Sequence, residues 1–177
     1  MRGSTVTNTI SIAVSSCLLG ENVRYDGGNR KNGHVIDLQE QGFELIAVCP
    51  EVDIGLPTPR EPIDLVFAPT QRPSARLRCD YRVDYSTRLR QAAYRFFGNH
   101  PNVCGFVFKS RSPSCGLHDT QAYDTARSPI GQGAGIFAEE VQLLKAGIPV
   151  IDDVLFNDIH HRQKFLKAVQ SWSLSLP

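Results

Sequence analysis

The sequence has no apolar run that approaches the roughly 20 residues needed to span a bilayer. Its opening, MRGSTVTNTI, lacks the apolar stretch of a secretory signal. A cytoplasmic protein with no membrane partner is therefore expected. Residues 1–9 read as a flexible leader, its MRGS of expression-vector type, and residues 10–177 as one domain. No internal repeat, low-complexity tract or linker divides that span. Charge excess is also missing: 19 Lys and Arg against 18 Asp and Glu leave +1. A strong electrostatic nucleic-acid binder shows a basic excess, so no nucleic-acid partner is expected, although a local basic patch stays compatible. A disulfide framework is lacking too. The cysteines are five, an odd number, without paired spacing: Cys17, Cys49, Cys79, Cys104 and Cys115. In a reducing compartment such thiols are packed, metal-binding or catalytic according to context.

What is present is an ordinary globular composition, 41% hydrophobic and 21% charged over 177 residues, enough for one full core. Apolar runs suited to strands fall at Ile10–Val14, Phe43–Val48, Ile63–Phe67, Val103–Phe108 and Ile148–Ile151. Helical patterns lie between and after them. His34–Gln41 is a short one stopped by Gly42; Tyr85–Phe97 carries Leu89, Ala92, Ala93, Phe96 and Phe97 on one face, with Asp84 or Ser86 as cap. Ile136–Lys145 repeats the pattern, and Ile159–Trp172 closes the chain as an amphipathic stretch. Thr70–Arg82 alternates weakly and reads as an excursion strand or a loop. Alternating strands and helices predict an α/β fold, a single Rossmann-like domain with a mainly parallel sheet flanked by helices. Its site is expected at the carboxyl ends of the strands.

Three of the loops that follow strands carry unusual chemistry: SSCLLGENVRYDGG from Ser15, CPEVDIGLPTPREPID from Cys49, and KSRSPSCGLHD from Lys109. In an open parallel sheet, loops leaving the carboxyl ends converge, so Cys17, Cys49 and Cys115 are expected at one edge. Cys104, inside VCGFVF, suits a packed thiol, and Cys79 a partly buried or surface one. Three thiols at one edge admit zinc, with His118 or Glu51 as fourth ligand, or an iron–sulfur cluster, which accepts ligands from distant loops. A single nucleophilic cysteine with a histidine base is the third reading; it leaves two thiols unexplained. His118 itself reads best as a loop residue, and His160 and His161 as surface residues of the last helix. Asp26 is a candidate to orient a substrate N–H, an Asx turn being its alternative. Arg60 reads as the partner of Glu61 or of Glu51. The hydroxyls of Ser110 and Ser112 suit local backbone bonds in their turn, and Ser112 is retained as a candidate substrate contact.

SSCLLGENVRYDGG, CPEVDIGLPTPREPI and KSRSPSCG resemble, in order and over nearly the whole chain outside the leader, the three signature segments of the thiouracil desulfidase family. The resemblance implies a [4Fe–4S] cluster with three protein ligands, Cys17, Cys49 and Cys115, and one open iron. It puts the family's acid after Cys-Pro on Glu51 and its serine before the third cysteine on Ser114, the two catalytic candidates. The implied reaction converts a free thiolated pyrimidine, 2-thiouracil or 4-thiouracil, and water to uracil and hydrogen sulfide. It is non-redox, with the sulfur bound at the open iron, a soft Lewis acid. The extra C-terminal domain of relatives that act on thiolated tRNA is not found in this sequence, which favours a small base over RNA. Two alternatives stay open: an iron–sulfur binding or electron-transfer module without desulfuration, and a metal-free cysteine hydrolase or transferase. The exposed faces single out no interface, so oligomeric state is not predicted.

Overall fold

A computed structural model describes residues 9–176; the leader, apart from Thr9, lies outside the described residues. The first sheet is parallel throughout, with β1 (Ser11–Ser15), β2 (Glu44–Val48), β6 (Phe106–Phe108) and β9 (Val150–Asp152) in the order β2-β1-β6-β9. Its register pairs Ile12 with Leu45 and Val14 with both Ala47 and Val107. The side-chain period of two divides these strands between two faces. Ile12, Val14, Val107 and Ile151 enter one core with Phe156, Phe165 and Val169, while Ala13, Phe106 and Phe108 enter the other. Burial on both faces explains why the strands read as unbroken apolar runs.

Helices cover both faces. On the first, α1 (Gly33–Ile36), α5 (Asp153–Asn157) and α6 (Ile159–Ser175) supply Val35, Phe156, Phe165 and Val169. Asp152 and Asp158 cap the last two, each accepting two backbone N–H groups. On the second, α3 (Ser86–Asn99) brings Leu89, Ala92, Ala93 and Phe96, and α4 (Ile136–Leu144) brings Phe137 and Val141. Phe106 and Phe108 stack at 5.1 Å between centroids, and Phe137 meets Phe108 edge-on at 6.2 Å.

The structure departs from the predicted pattern in several places. The run at Ile63–Phe67 forms β3 (Ile63–Val66), which does not join the parallel sheet. It lies at the centre of a second, five-stranded mixed sheet, β5-β4-β3-β7-β8, with β4 (Ser74–Leu77), β5 (Asp80–Asp84), β7 (Thr120–Tyr123) and β8 (Pro129–Gly133). Between β2 and β3 the chain makes only the one-turn helix α2 (Pro50–Asp53) and then runs through GLPTPREP, so no long helix carries it back across the first sheet. The ambiguous Thr70–Arg82 stretch is mostly the β4–β5 hairpin. The helix expected over His34–Gln41 is shorter: Leu38 and Gln39 donate to carbonyls three residues back, tightening the chain into turns that end at Gly42, φ 88°. No helix among the described residues is long and apolar enough to cross a membrane.

Candidate functional site

A cavity of about 460 Å3 opens where the two sheets meet, at the carboxyl ends of β1, β2 and β6. The order β2-β1-β6 reverses direction at β1, the position where open α/β sheets leave a crevice. Cys17, Cys49 and Cys115 all line it. Each thiol is seated by its own loop. After β1 the chain makes a 3-10 turn, Ser16–Leu19, and the Cys17 carbonyl takes the Arg30 N–H at 2.8 Å. Cys49 precedes α2, with Pro50 in the first helical position, where a missing N–H costs nothing. The Cys115 turn rests on α4: the Pro113 carbonyl accepts from Ile136 N, and the Ser114 carbonyl from Phe137 N and Ala138 N, at 2.9–3.1 Å. These are helix N–H groups that would otherwise lack partners. Gly135 permits the contact, since a Cβ there would stand 2.5 Å from the Ser114 carbonyl carbon.

Burial, and then the neighbouring Cys49, push the Cys17 thiol up to about 11. Burial likewise raises Cys49 and Cys115, the latter strongly. Cys115 feels both of the other thiols, against a lowering hydrogen bond from Ser15. Three protonated thiols in a desolvated wall become thiolates when a cation compensates their charge, so the donor set fits a soft metal group. Among the described residues no three His, Cys, Asp or Glu side chains gather around one ion-sized point.

Glu51, 9% exposed, sits in the first turn of α2 and lines the same cavity. Its Oε1 accepts from Ser114 Oγ at 2.8 Å and its Oε2 from Arg60 Nε at 2.7 Å. Arg60 therefore pairs with Glu51; the alternative pairing with exposed Glu61 is not made, because the guanidinium turns inward, also bonding Pro57 O and Thr58 Oγ1. Ser114, 1% exposed, stands behind Glu51 and outside the cavity lining. Ser112 does line the cavity, and its Oγ accepts from Ser114 N and Cys115 N, so it shapes the turn that holds the thiol. Asp26 is not brought to the cavity. It is exposed and accepts from Gly28 N at 3.0 Å in an Asx-type turn, with Arg24 beside it. His118 and Cys79 are exposed and away from the lining, and Cys104 is buried in the apolar core.

The opposite wall comes from the second sheet and was not anticipated. Asp64, buried in β3, accepts from Arg78 Nε at 2.9 Å and from Tyr81 O–H at 3.0 Å. Burial and that bond hold the Tyr81 phenol up to about 12, so it stays a donor. Gln121 and Tyr123 of β7 complete the wall. An acid within the apolar run IDLV was the one available signal.

These features define a class, an α/β protein of Rossmann-like order carrying three cysteines and a tethered carboxylate in one cleft. The chain belongs to the 2-thiouracil desulfurase family, whose model matches residues 12–153. It is similar to a Bacillus subtilis (strain 168) protein described as uncharacterized protein YbbK, 28% identical over 153 residues, which cover 84% of this chain and 99% of that one. It is also similar to the solved structure of a [4Fe-4S]-dependent thiouracil desulfidase, TudS. The TM-score is 0.67 at 26% identity, covering 88% of this chain and 99% of that one.

Proposed function

We propose that the protein is a [4Fe–4S]-dependent desulfidase that converts a free thiolated pyrimidine, 2-thiouracil or 4-thiouracil, and water to uracil and hydrogen sulfide. The observation that carries this reading is the meeting of Cys17, Cys49, Cys115 and Glu51 in one cavity, in a chain of the 2-thiouracil desulfurase family. Cys17, Cys49 and Cys115 would hold the cluster. Their separate loops and soft donors suit a group wider than one ion. When bound, the cluster supplies an open iron, a soft Lewis acid for the thiocarbonyl sulfur.

The rest of the chemistry falls to the chain. Glu51 is the proton carrier: it takes one proton from the attacking water and a second from the hydroxyl as the new C=O forms, and passes both to the departing sulfur, which leaves as hydrogen sulfide at its original oxidation level. Arg60 and Ser114 each use one lone pair of its two oxygens, which fixes the carboxylate and leaves acceptor capacity toward the cavity. Ser114 thus acts through Glu51, and Ser112 through the Cys115 turn. Asp64, Arg78 and Gln121 offer the polar partners a pyrimidine edge needs.

Anaerobically reconstituted protein should bind iron and sulfide, absorb in the visible, and release sulfide from 2-thiouracil or 4-thiouracil. Loaded protein that leaves both bases untouched over hours would instead support the binding or electron-transfer module. A colourless protein that is active without iron would support the metal-free cysteine enzyme.

A further inference from the structure

Beside the thiols, on the side away from Glu51, the carboxyl ends of β6 and β9 are tied together by a partly buried ion pair to which the reaction above gives no role. Lys109 follows β6 directly and lines the cavity; Asp153 follows β9 directly. Their side chains are 16% and 14% exposed, with Nζ 2.8 Å from Oδ2. Lys109 Nζ also donates to Asp153 Oδ1 at 3.1 Å and to Ser110 Oγ at 2.7 Å. An ammonium has three protons, and here all three have acceptors, so Lys109 has none directed at substrate. Asp153 is equally engaged, taking the Ser110 N–H at 2.7 Å. Burial raises its carboxyl, but the bonds from Lys109 and Ser110 outweigh this and hold it below the usual 3.8. The Lys109 N–H donates to Ser15 Oγ at 3.0 Å, and Ser15 lines the cavity together with Cys115.

The pair is neutral as a whole but oriented. Of its two charges, the cation is the one at the cavity: Lys109 lines it together with Cys17, Cys49 and Cys115, and Asp153 does not. A fixed dipole with its positive end toward sulfur favours negative charge there, and the low local dielectric strengthens the effect. Charges and hydrogen bonds around thiolate ligands are among the means by which a protein tunes an iron–sulfur centre.

We propose that Lys109, anchored by Asp153, is a positioning residue: a fixed positive charge that sets the reduction potential of the group held by Cys17, Cys49 and Cys115 while bracing the loops that carry Cys17 and Cys115. This rests on the cluster assignment made above. It has a signed consequence that a purely mechanical brace lacks. Lys109→Met leaves an uncompensated carboxylate beside the thiolates and lowers the cluster potential. Asp153→Asn leaves an uncompensated ammonium and raises it. The double variant Lys109→Met/Asp153→Asn returns close to the wild-type value, and Lys109→Arg retains it.

The test is anaerobic reconstitution of all five proteins, iron and sulfide counts, circular dichroism to establish folding, and redox titration of the cluster followed by absorbance and electron paramagnetic resonance. Opposite shifts for the two single variants, cancelled in the double, support the proposal. Shifts of one sign, no shifts, or equal loss of the cluster from both folded single variants overturn it. Wild-type protein that takes up no iron and sulfide sinks the cluster assignment itself and this proposal with it, an outcome distinct from a loaded wild type with unmoved variants.

Discussion

In the proposed reaction Glu51 carries the protons, and it and its tether Ser114 make different predictions. Glu51→Gln preserves the shape and the bond to Arg60 but removes the proton acceptor. Sulfide release should fall about 10²–10⁴-fold with iron content unchanged, measured by a sulfide assay on protein of known iron load. Ser114→Ala frees one carboxylate oxygen and should cost less, with the iron count again as control. Among the cysteines, Cys17→Ser, Cys49→Ser or Cys115→Ser should abolish iron retention, whereas Cys79→Ser and Cys104→Ser should keep it. Cys104 already lies 3.3 Å from an acceptor, the Asn102 carbonyl, so a hydroxyl there has a partner. Asp153 adds a pH signature. Its carboxyl is depressed in the fold, so its contribution is complete above 3.8 and is lost as pH falls through the lower folded value. The difference in urea midpoint between wild type and Asp153→Asn should therefore be flat at neutral pH and shrink below 3.8. At this scale the sequence was informative wherever chemistry was unusual. A thiol ending an apolar run and an acid after Cys-Pro both stood out. Asp26 forms the Asx turn that was one of its two readings, since an aspartate beside two glycines looks the same whether it faces a ligand or caps its own turn.

The element that most directly shapes the site is α4, whose first N–H groups hold the Cys115 turn by its carbonyls. Gly135→Ala inserts a methyl 2.5 Å from a backbone carbon that has no room to retreat. It should destabilise the fold by about 1–3 kcal/mol and reduce iron uptake, measured as a lower thermal midpoint and a lower iron count. The helices with a strong apolar stripe, α3 and α4, were legible by their period, and the doubly buried strands by their unbroken apolar runs. The β7–β8 hairpin was not: TQAY is too short to show a period, and PIGQG, exposed at the sheet edge, carries two glycines and one large apolar residue. The single turn α1 was over-extended because Val35, Ile36 and Leu38 suggest a stripe, and Val35 and Leu38 are indeed buried, but the chain reaches that burial through tightened turns after Ile36.

At the scale of the whole molecule, two sheets that share no strand face each other across the cavity. Which strands join which sheet is a matter of long-range pairing, invisible to any local pattern, and the placement of β3 shows it. The tie among Asp64, Arg78 and Tyr81 exists only once β3, β4 and β5 are aligned. Arg78→Ala should thus leave iron loading intact and alter turnover of 2-thiouracil relative to 4-thiouracil, compared as kcat/KM on loaded protein.

The two-sheet construction also separates two kinds of tolerance. The parallel sheet places the three thiols in loops leaving its carboxyl ends, and the Cys115 turn is seated on α4, where a change of length would misplace the thiol. The mixed sheet meets the cavity through β3, β7 and the β4–β5 turn, whose Arg78 bonds Asp64 by its side chain and Arg127 by its carbonyl. The wall facing the thiols can therefore change its polarity at Arg78, Gln121 or Tyr123 without touching the loops that carry Cys17, Cys49 and Cys115.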